Sequence, residues 1–402
     1  MPEKRIVLRN CGAINPGQIK TYLDRDGFKA LQKAVNSLTA EQVIEEIKAS
    51  GLRGRGGAGF PSGLKWELAR KAQGDEKYII CNADEGEVGT FKDRYILEND
   101  PFSLIEAMAI AGYAIGTNKG YIYLRGEYHF LLDSLTNAVR QAKDGGFLRG
   151  FDIEIREGAG AYVCGEESAL MDSIEGKRGE VRFRPPFPPT SGLWEKPTVI
   201  NNVETLMNIP VIVQNGASWF SQLGTERSKG TKVFSVSGDV AKPGVYELVM
   251  GSKLRELVEE LAAAKNVKMI QVGGATGRVL PGEMLDTPLD FENILGAGAV
   301  TVYDDSRDIV DIVYRTMEFL AEECCGKCTP GREGTEVMVE ILEKFSRGEG
   351  TERDITVLQE LADVMKVSSL CGLGQAAPNP VIDSLQYFRE AFESRMRGTK
   401  GN

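Results

Sequence analysis

A chain of 402 residues is long enough to bury a substantial core and to divide into about two to four domains, so it needs no disulfide or metal staple to fold. Its 58 acidic side chains outnumber 48 basic ones, and the net charge of -10 argues against non-specific attachment to nucleic acid or anionic lipid, which both draw on excess Lys and Arg. The opening MPEKRIVLRN lacks the apolar core of a signal peptide, and nowhere do about 18 apolar residues run uninterrupted, so a cytoplasmic chain without membrane insertion is expected.

The first clear element covers residues 39 to 50. Thr39 stands three before Gln42, a capping-box spacing, and Val43, Ile44 and Ile47 share one face, which predicts a helix closed by Gly51. The glycine-rich GLRGRGGAGF follows. Gly54, Gly56 and Gly59 satisfy GxGxxG, but the preceding element is a helix rather than a strand, so the dinucleotide fingerprint fails on context. Its five glycines still allow backbone N-H groups to approach a phosphate, with Arg53, Arg55 and Lys65 as added positive charge; a plain flexible turn is the alternative.

YIICN (78 to 82) reads as a buried strand, LIEAMAIAGYAIG as a helix, YIYLRG (121 to 126) as a strand, roughly 130 to 143 as a helix, and FDIEIREG as an alternating strand. That order predicts an α/β layer. GAGAYVCGEES (158 to 168) ends in paired carboxylates, Glu166 and Glu167. These suit ribose hydroxyls, or else the first turn of a helix, where Glu offsets the dipole.

From about 230 to 303 short β-rich runs surround a helix expected over 253 to 264, which is a small α+β module. Helices are then expected at roughly 307 to 323, 332 to 346, 352 to 367 and 378 to 395, a four-helix bundle. In up-down-up-down order its first and third connections meet at one end, and they carry Cys324, Cys325 and Cys328 in the first and Cys371 in the third. Four thiols grouped in a reducing compartment suit an iron-sulfur cluster, with a tetrahedral zinc site as the alternative. Cys11, Cys81 and Cys164 read as packed hydrophobes. His129, the only histidine, is assigned no role.

Taken together, GLRGRGGAGFPSGLKW, YIICNADEGEVGTFKDRYILE, YIYLRGEY, GAGAYVCGEESALMDSIEG, PPFPPTSGLWEKPTVINNVET and ECCGKCTPGREG closely resemble the NADH-binding flavoprotein subunit of respiratory complex I and its relatives in soluble NAD-linked hydrogenases and formate dehydrogenases. The resemblance covers nearly the whole chain in one order. It implies a Rossmann-like FMN- and NADH-binding domain (1 to 229), a ubiquitin-like β-grasp domain (230 to 304) and a helical iron-sulfur domain (305 to 402).

It also implies ligands. Gly54, Arg55, Gly56, Gly57 and Lys65 would line the FMN phosphate, and Asn82, Asp84, Asn201, Asn202 and Thr205 would complete the flavin site. Phe60 and Phe187 would contact the adenine side of NADH, while Glu85, Glu87, Tyr162, Glu166 and Glu167 would face dinucleotide and flavin, with Glu85, Glu87 and Glu167 nearest the hydride chemistry. Repulsion by the Glu166 and Glu167 pair is expected to disfavour the 2'-phosphate of NADPH.

In the pattern the chain resembles, the cluster loop reads CGKCTPCREG; here the third cysteine is Gly331, while Cys324 stands where the pattern commonly has Ser. A four-cysteine cluster through Cys324, Cys325, Cys328 and Cys371 is expected, 4Fe-4S ahead of 2Fe-2S. With no thioredoxin-like or ferredoxin-like extension in this sequence, electrons are expected to leave through a small thioredoxin-like 2Fe-2S subunit toward a hydrogenase or formate dehydrogenase subunit. The alternative is a non-catalytic scaffold whose cysteines hold zinc.

Overall fold

The computed structural model describes residues 3–397. Residues 1–2 and 398–402, at the outer bounds of the first and last expected domains, lie outside the described residues. Four strands, β1 (Tyr78–Ala83), β2 (Lys119–Leu124), β3 (Asp152–Glu157) and β4 (Thr198–Asn202), form a parallel sheet in the order β3-β2-β1-β4. The first three were legible, β1 and β2 from their apolar runs and β3 from its alternation. β4 was not, because its five residues end in two asparagines. Parallel strands need long crossovers, and the one between β1 and β2 carries a helix, Pro101–Ile115, whose every residue except Tyr113 is buried. Asp100 caps its start, Pro101 occupies the first turn, and Gly116 ends it at φ +78°.

The Thr39 capping box is present: Gln42 N-H donates to the Thr39 hydroxyl (3.2 Å) and the Gln42 side chain accepts from Thr39 N-H (2.8 Å). That fixes the Ala40–Ala49 helix, and Gly51 follows at φ +70°. Chain order in the sheet reverses between β1 and β4. In open α/β sheets such a switch point leaves a crevice outside the carboxyl ends of the strands, and here those ends carry Asn82 and Asn202 as direct register partners.

The second sheet is mixed: β5 (Thr231–Gly238), β6 (Gly244–Val249), β7 (Val267–Val272), β8 (Arg278–Pro281) and β9 (Ala299–Asp304) lie in the order β6-β5-β9-β7-β8, with only β5 and β9 parallel. The helix expected over 253 to 264 is shorter, a wide π-wound turn at Glu256–Leu261 that puts Leu257 and Val258 into the core under the sheet.

The C-terminal helices run Ile309–Glu322, Thr329–Ser346, Glu352–Ser368, Gly372–Ala376, Asn379–Tyr387 and Arg389–Glu393. The single last helix expected to residue 395 is broken at Phe388, and the chain then turns to pair with Gly350, whose N-H donates to Arg395 O and whose carbonyl accepts from Arg397 N-H. Among the described residues no helix is long and apolar enough to cross a membrane.

A fully buried ion cluster joins the two sheets. Glu204, just after β4, accepts from Lys232 Nζ (2.6 Å) and from Val233 N-H (2.8 Å) on β5, and lies 3.1 Å from Lys92 Nζ. Removing one member of a buried pair strands the other's charge, which costs roughly 3–5 kcal/mol. Glu204→Gln is therefore expected to lower stability by about that amount, seen as a lower urea midpoint for unfolding.

Candidate functional site

The crevice between β1 and β4 is built from backbone and amides. Asn82 donates to Gly165 O (2.8 Å) and accepts from Asp84 N-H (3.1 Å), so it ties the end of β1 to the glycine stretch before Glu166. Asn201 accepts from the buried Trp66 indole (2.9 Å), which docks the Ser62–Lys71 helix on β4. Asn202 caps the next turn through Glu204 N-H and donates to Asp93 (2.6 Å). The glycine loop leans on the same edge: a Cβ on Gly56 would stand 3.0 Å from Asn202 Cβ, and Arg55 N-H donates to Thr205 (2.8 Å). Gly57, at φ +123°, faces open space.

Asp84 carries the clearest unmet demand. Its Oδ2 is shielded from solvent and has no hydrogen-bond partner, directly past the end of β1. An orphaned buried acceptor just past the end of β1, next to Gly165, fits a polar ligand that donates there. Burial pushes both Asp84 and Glu87 up to about 7, Arg125 opposing this at Asp84.

Several sequence expectations change. The Arg55 guanidinium does not line a phosphate site: it is buried and donates to the carbonyls of Thr231, Arg53 and Lys229. Arg53 is likewise taken, by Gly59 O and the Phe291 ring. Lys65 alone of the three basic groups stays near the crevice, donating to Glu167 (3.2 Å) and Ile200 O (3.1 Å). Glu85 does not face the crevice either. Its buried carboxylate accepts from Asp93 N-H, Arg94 N-H and Tyr128 OH, which caps the Lys92–Asn99 helix. Glu87 is shared between Tyr162 OH (2.6 Å) and Ala275 N-H (2.6 Å).

Glu166 takes the helix-cap role, accepting from Ser168 and Ala169 N-H at the start of the Glu167–Ile174 helix. The glutamate pair is also not bare: Arg184 bonds Glu166 and lies 3.0 Å from Glu167. Arg184 escaped the sequence reading, although its place one residue before the PPFP stretch was a usable signal. Phe60 and Phe187 are exposed. A cleft of about 300 Å³ lies beside Arg184, lined also by Phe183, Pro186 and Glu175, and neither the glycine loop nor Asn82 lines it.

The four thiols do meet at one end of the helical group. Cys324 follows the Ile309–Glu322 helix, Cys328 caps Thr329–Ser346, and Cys371 caps Gly372–Ala376. Cys325 and Cys371 pack with Leu370 and Leu373 against Val163 and Cys164, directly below the Glu166 stretch. Leu370 N-H points at Cys328 Sγ (3.5 Å). No set of three or more His, Cys, Asp or Glu among the described residues converges on a single-ion position. A group of four thiols is the donor set that an iron-sulfur cluster takes. Cys11, Cys81 and Cys164 are buried.

Comparison with known proteins bears on both halves. Residues 47–211 match the Nuo51 FMN-binding domain, and residues 311–395 match the NADH-ubiquinone oxidoreductase-F iron-sulfur binding region. The HndC component of the NADP-reducing hydrogenase of Solidesulfovibrio fructosivorans is 44% identical over 98% of this chain and 84% of its own length. This chain belongs to the family of complex I flavoproteins. Within that family, an NADH-quinone oxidoreductase component of Rhizobium meliloti is 44% identical over 96% of both chains. A crystal structure of an NAD+-reducing NiFe-hydrogenase in the H2-reduced state superposes with a TM-score of 0.90 at 42% identity, covering 95% of this chain and 67% of that one.

The Asp84 carboxyl has an unfolded value of about 3.9, so its raised folded value means that the folded chain holds the extra proton. Its stability contribution is complete below about pH 4 and is lost as pH rises through about 7. Asp84→Asn removes that dependence. In flavin-free protein, its melting temperature relative to the parent chain should rise between pH 5 and pH 8.

Proposed function

We propose that this chain is the electron-input subunit of a multi-subunit oxidoreductase, taking a hydride from NADH and passing electrons singly to the thiol-rich end and on to partners. The observation that carries the reading is the switch-point crevice, with Asn82 and Asn202 paired at its edge and Asp84 Oδ2 orphaned just past the end of β1, and with Cys325 and Cys371 packed against Val163 and Cys164 of the adjoining 158–168 stretch. Bound FMN would supply the conversion from hydride acceptance to one-electron release, and the iron-sulfur cluster would accept the single electrons.

The chain's own residues bind, orient and shield. Open backbone at Gly57 and the Lys65 ammonium would hold the FMN phosphate; Asp84 would accept a donor of the flavin. Glu87, neutral or ionised near pH 7, is kept in place by Tyr162 and the second sheet. Phe60 and Phe187 would stack on the dinucleotide. Cys325, Cys328 and Cys371 supply three thiolates for the cluster.

The relatives named above are components of hydrogenases and quinone oxidoreductases. By analogy this chain would pass electrons to a small thioredoxin-like 2Fe-2S subunit, and through it to a hydrogenase or formate dehydrogenase subunit, in the cytoplasm.

The test is an anaerobic absorption spectrum before and after NADH. Flavin bands with a broad iron-sulfur shoulder, both bleached by NADH, are expected; a colourless protein, or zinc in place of iron, would end the electron-input reading. Coenzyme choice offers a second test. Arg184 masks the Glu166 and Glu167 charges, so Arg184→Ala should expose them and raise the kcat/KM ratio of NADH over NADPH several-fold, about 1 kcal/mol, measured with an artificial acceptor.

A further inference from the structure

The thiol-rich end is asymmetric. Gly331 lies in the first turn of the Thr329–Ser346 helix, where glycine is a poor choice for helix formation. It is buried, and its φ is not in the left-handed region, so the backbone conformation does not demand glycine. What sets its surroundings is the thiols. A Cβ built on Gly331 would stand 3.1 Å from Cys328 Sγ and 3.5 Å from Cys324 Sγ. On another side the Cys371 turn closes over it, since a Cβ built on Gly374 would lie 3.8 Å from Gly331 Cα. A side chain at 331 would thus enter a volume that already holds two sulfurs.

Cys324 reaches that volume from a different direction. It is the residue after the C-cap of the Ile309–Glu322 helix, with its N-H donating to Ala321 O (3.3 Å). The loop that follows is folded back onto the next helix: Arg332 Nη1 donates to Gly326 O (2.6 Å), and Arg332 N-H to Cys328 O (3.0 Å). Gly326 turns at φ +76°, which lets the chain reverse between Cys325 and Cys328. Helix end, reversal and side-chain clamp together bring Cys324 Sγ and Cys328 Sγ to the same face of Gly331.

We propose that Cys324 is the fourth thiolate of the iron-sulfur cluster and takes a coordination position beside Gly331, where this chain carries no side chain. The inference rests on the cluster reading given under Proposed function and deepens it. The thiolates then come from the end of one helix, its following loop, the start of the next helix and the Cys371 turn. The spacing of the first three is Cys-Cys-x-x-Cys.

The test uses the full chain, purified anaerobically with its flavin. Iron and acid-labile sulfide are measured per FMN, so that a misfolded fraction does not count, and the dithionite-reduced protein is examined by electron paramagnetic resonance. In Cys324→Ala, iron should fall from about four per FMN to about three or fewer, with loss of the parent resonance. In Cys324→Ala combined with Gly331→Cys, both should return. Parent-level iron, sulfide and resonance in Cys324→Ala would overturn the assignment, as would a loss that Gly331→Cys does not repair. A parent chain with full flavin but no iron would instead overturn the cluster reading itself, and this assignment with it.

Discussion

Glu204 is the residue on which the arrangement of the two sheets depends. It has no exposed surface, and two ammonium groups, Lys92 and Lys232, end on its carboxylate. Lys92 also pairs with Asp93, which accepts from Asn202, while Asp93 N-H donates to Glu85. Three carboxylates and two ammoniums are therefore enclosed together. Burying them is costly, and the cost is offset only because nearly every lone pair and N-H has a partner in place. The consequence is positional: the end of β4, the start of the Lys92–Asn99 helix and the edge of β5 cannot move independently, so Asn202 is held against β1 and the glycine loop by the same contacts that attach the second sheet.

This explains which parts of the site were legible in the sequence. β1, β2 and β3 announce themselves by apolar runs or alternation, and Thr39 by its capping spacing, because those signals are local. β4 hides because its role is to present Asn201 and Asn202, and a strand that ends in amides has no apolar signature. The same holds for the Lys92–Asn99 helix, whose Lys92 and Asp93 are buried charges that read as surface. Charge on its own misleads in the other direction. Arg53 and Arg55 sit in the glycine loop, yet their guanidiniums are consumed by carbonyls and an aromatic ring, because a flexible loop needs anchors before it can present its backbone. Glu85 is spent on a helix start for the same reason. Residue type marks where chemistry is available; only packing decides which copy of it is free.

The thiol end shows the opposite case, in which topology was enough. Helices joined by short connections must alternate direction, so the loops holding Cys324 to Cys328 and Cys371 could only meet. What topology could not show is what the thiol end meets: Cys325 and Cys371 pack against Val163 and Cys164, while all four thiols stay only half-buried.

Tyr162 links the crevice side to the thiol end. Its hydroxyl donates to Glu87, whose other oxygen accepts from Ala275 in the turn between β7 and β8; its N-H donates to the Glu323 carboxylate (2.9 Å), and its ring lies 5.3 Å from that of Phe319. Glu323 immediately precedes Cys324. One buried residue thus fastens the stretch that leads to Glu166, the second sheet and the helix that delivers the first thiol. A site that moves charge between two bound groups needs their supports fixed relative to each other, on rigid elements rather than loops alone. Here the glycine loop and the cysteine loop are both flexible in composition, and rigidity is supplied from behind them, by Glu204 on one side and Tyr162 on the other.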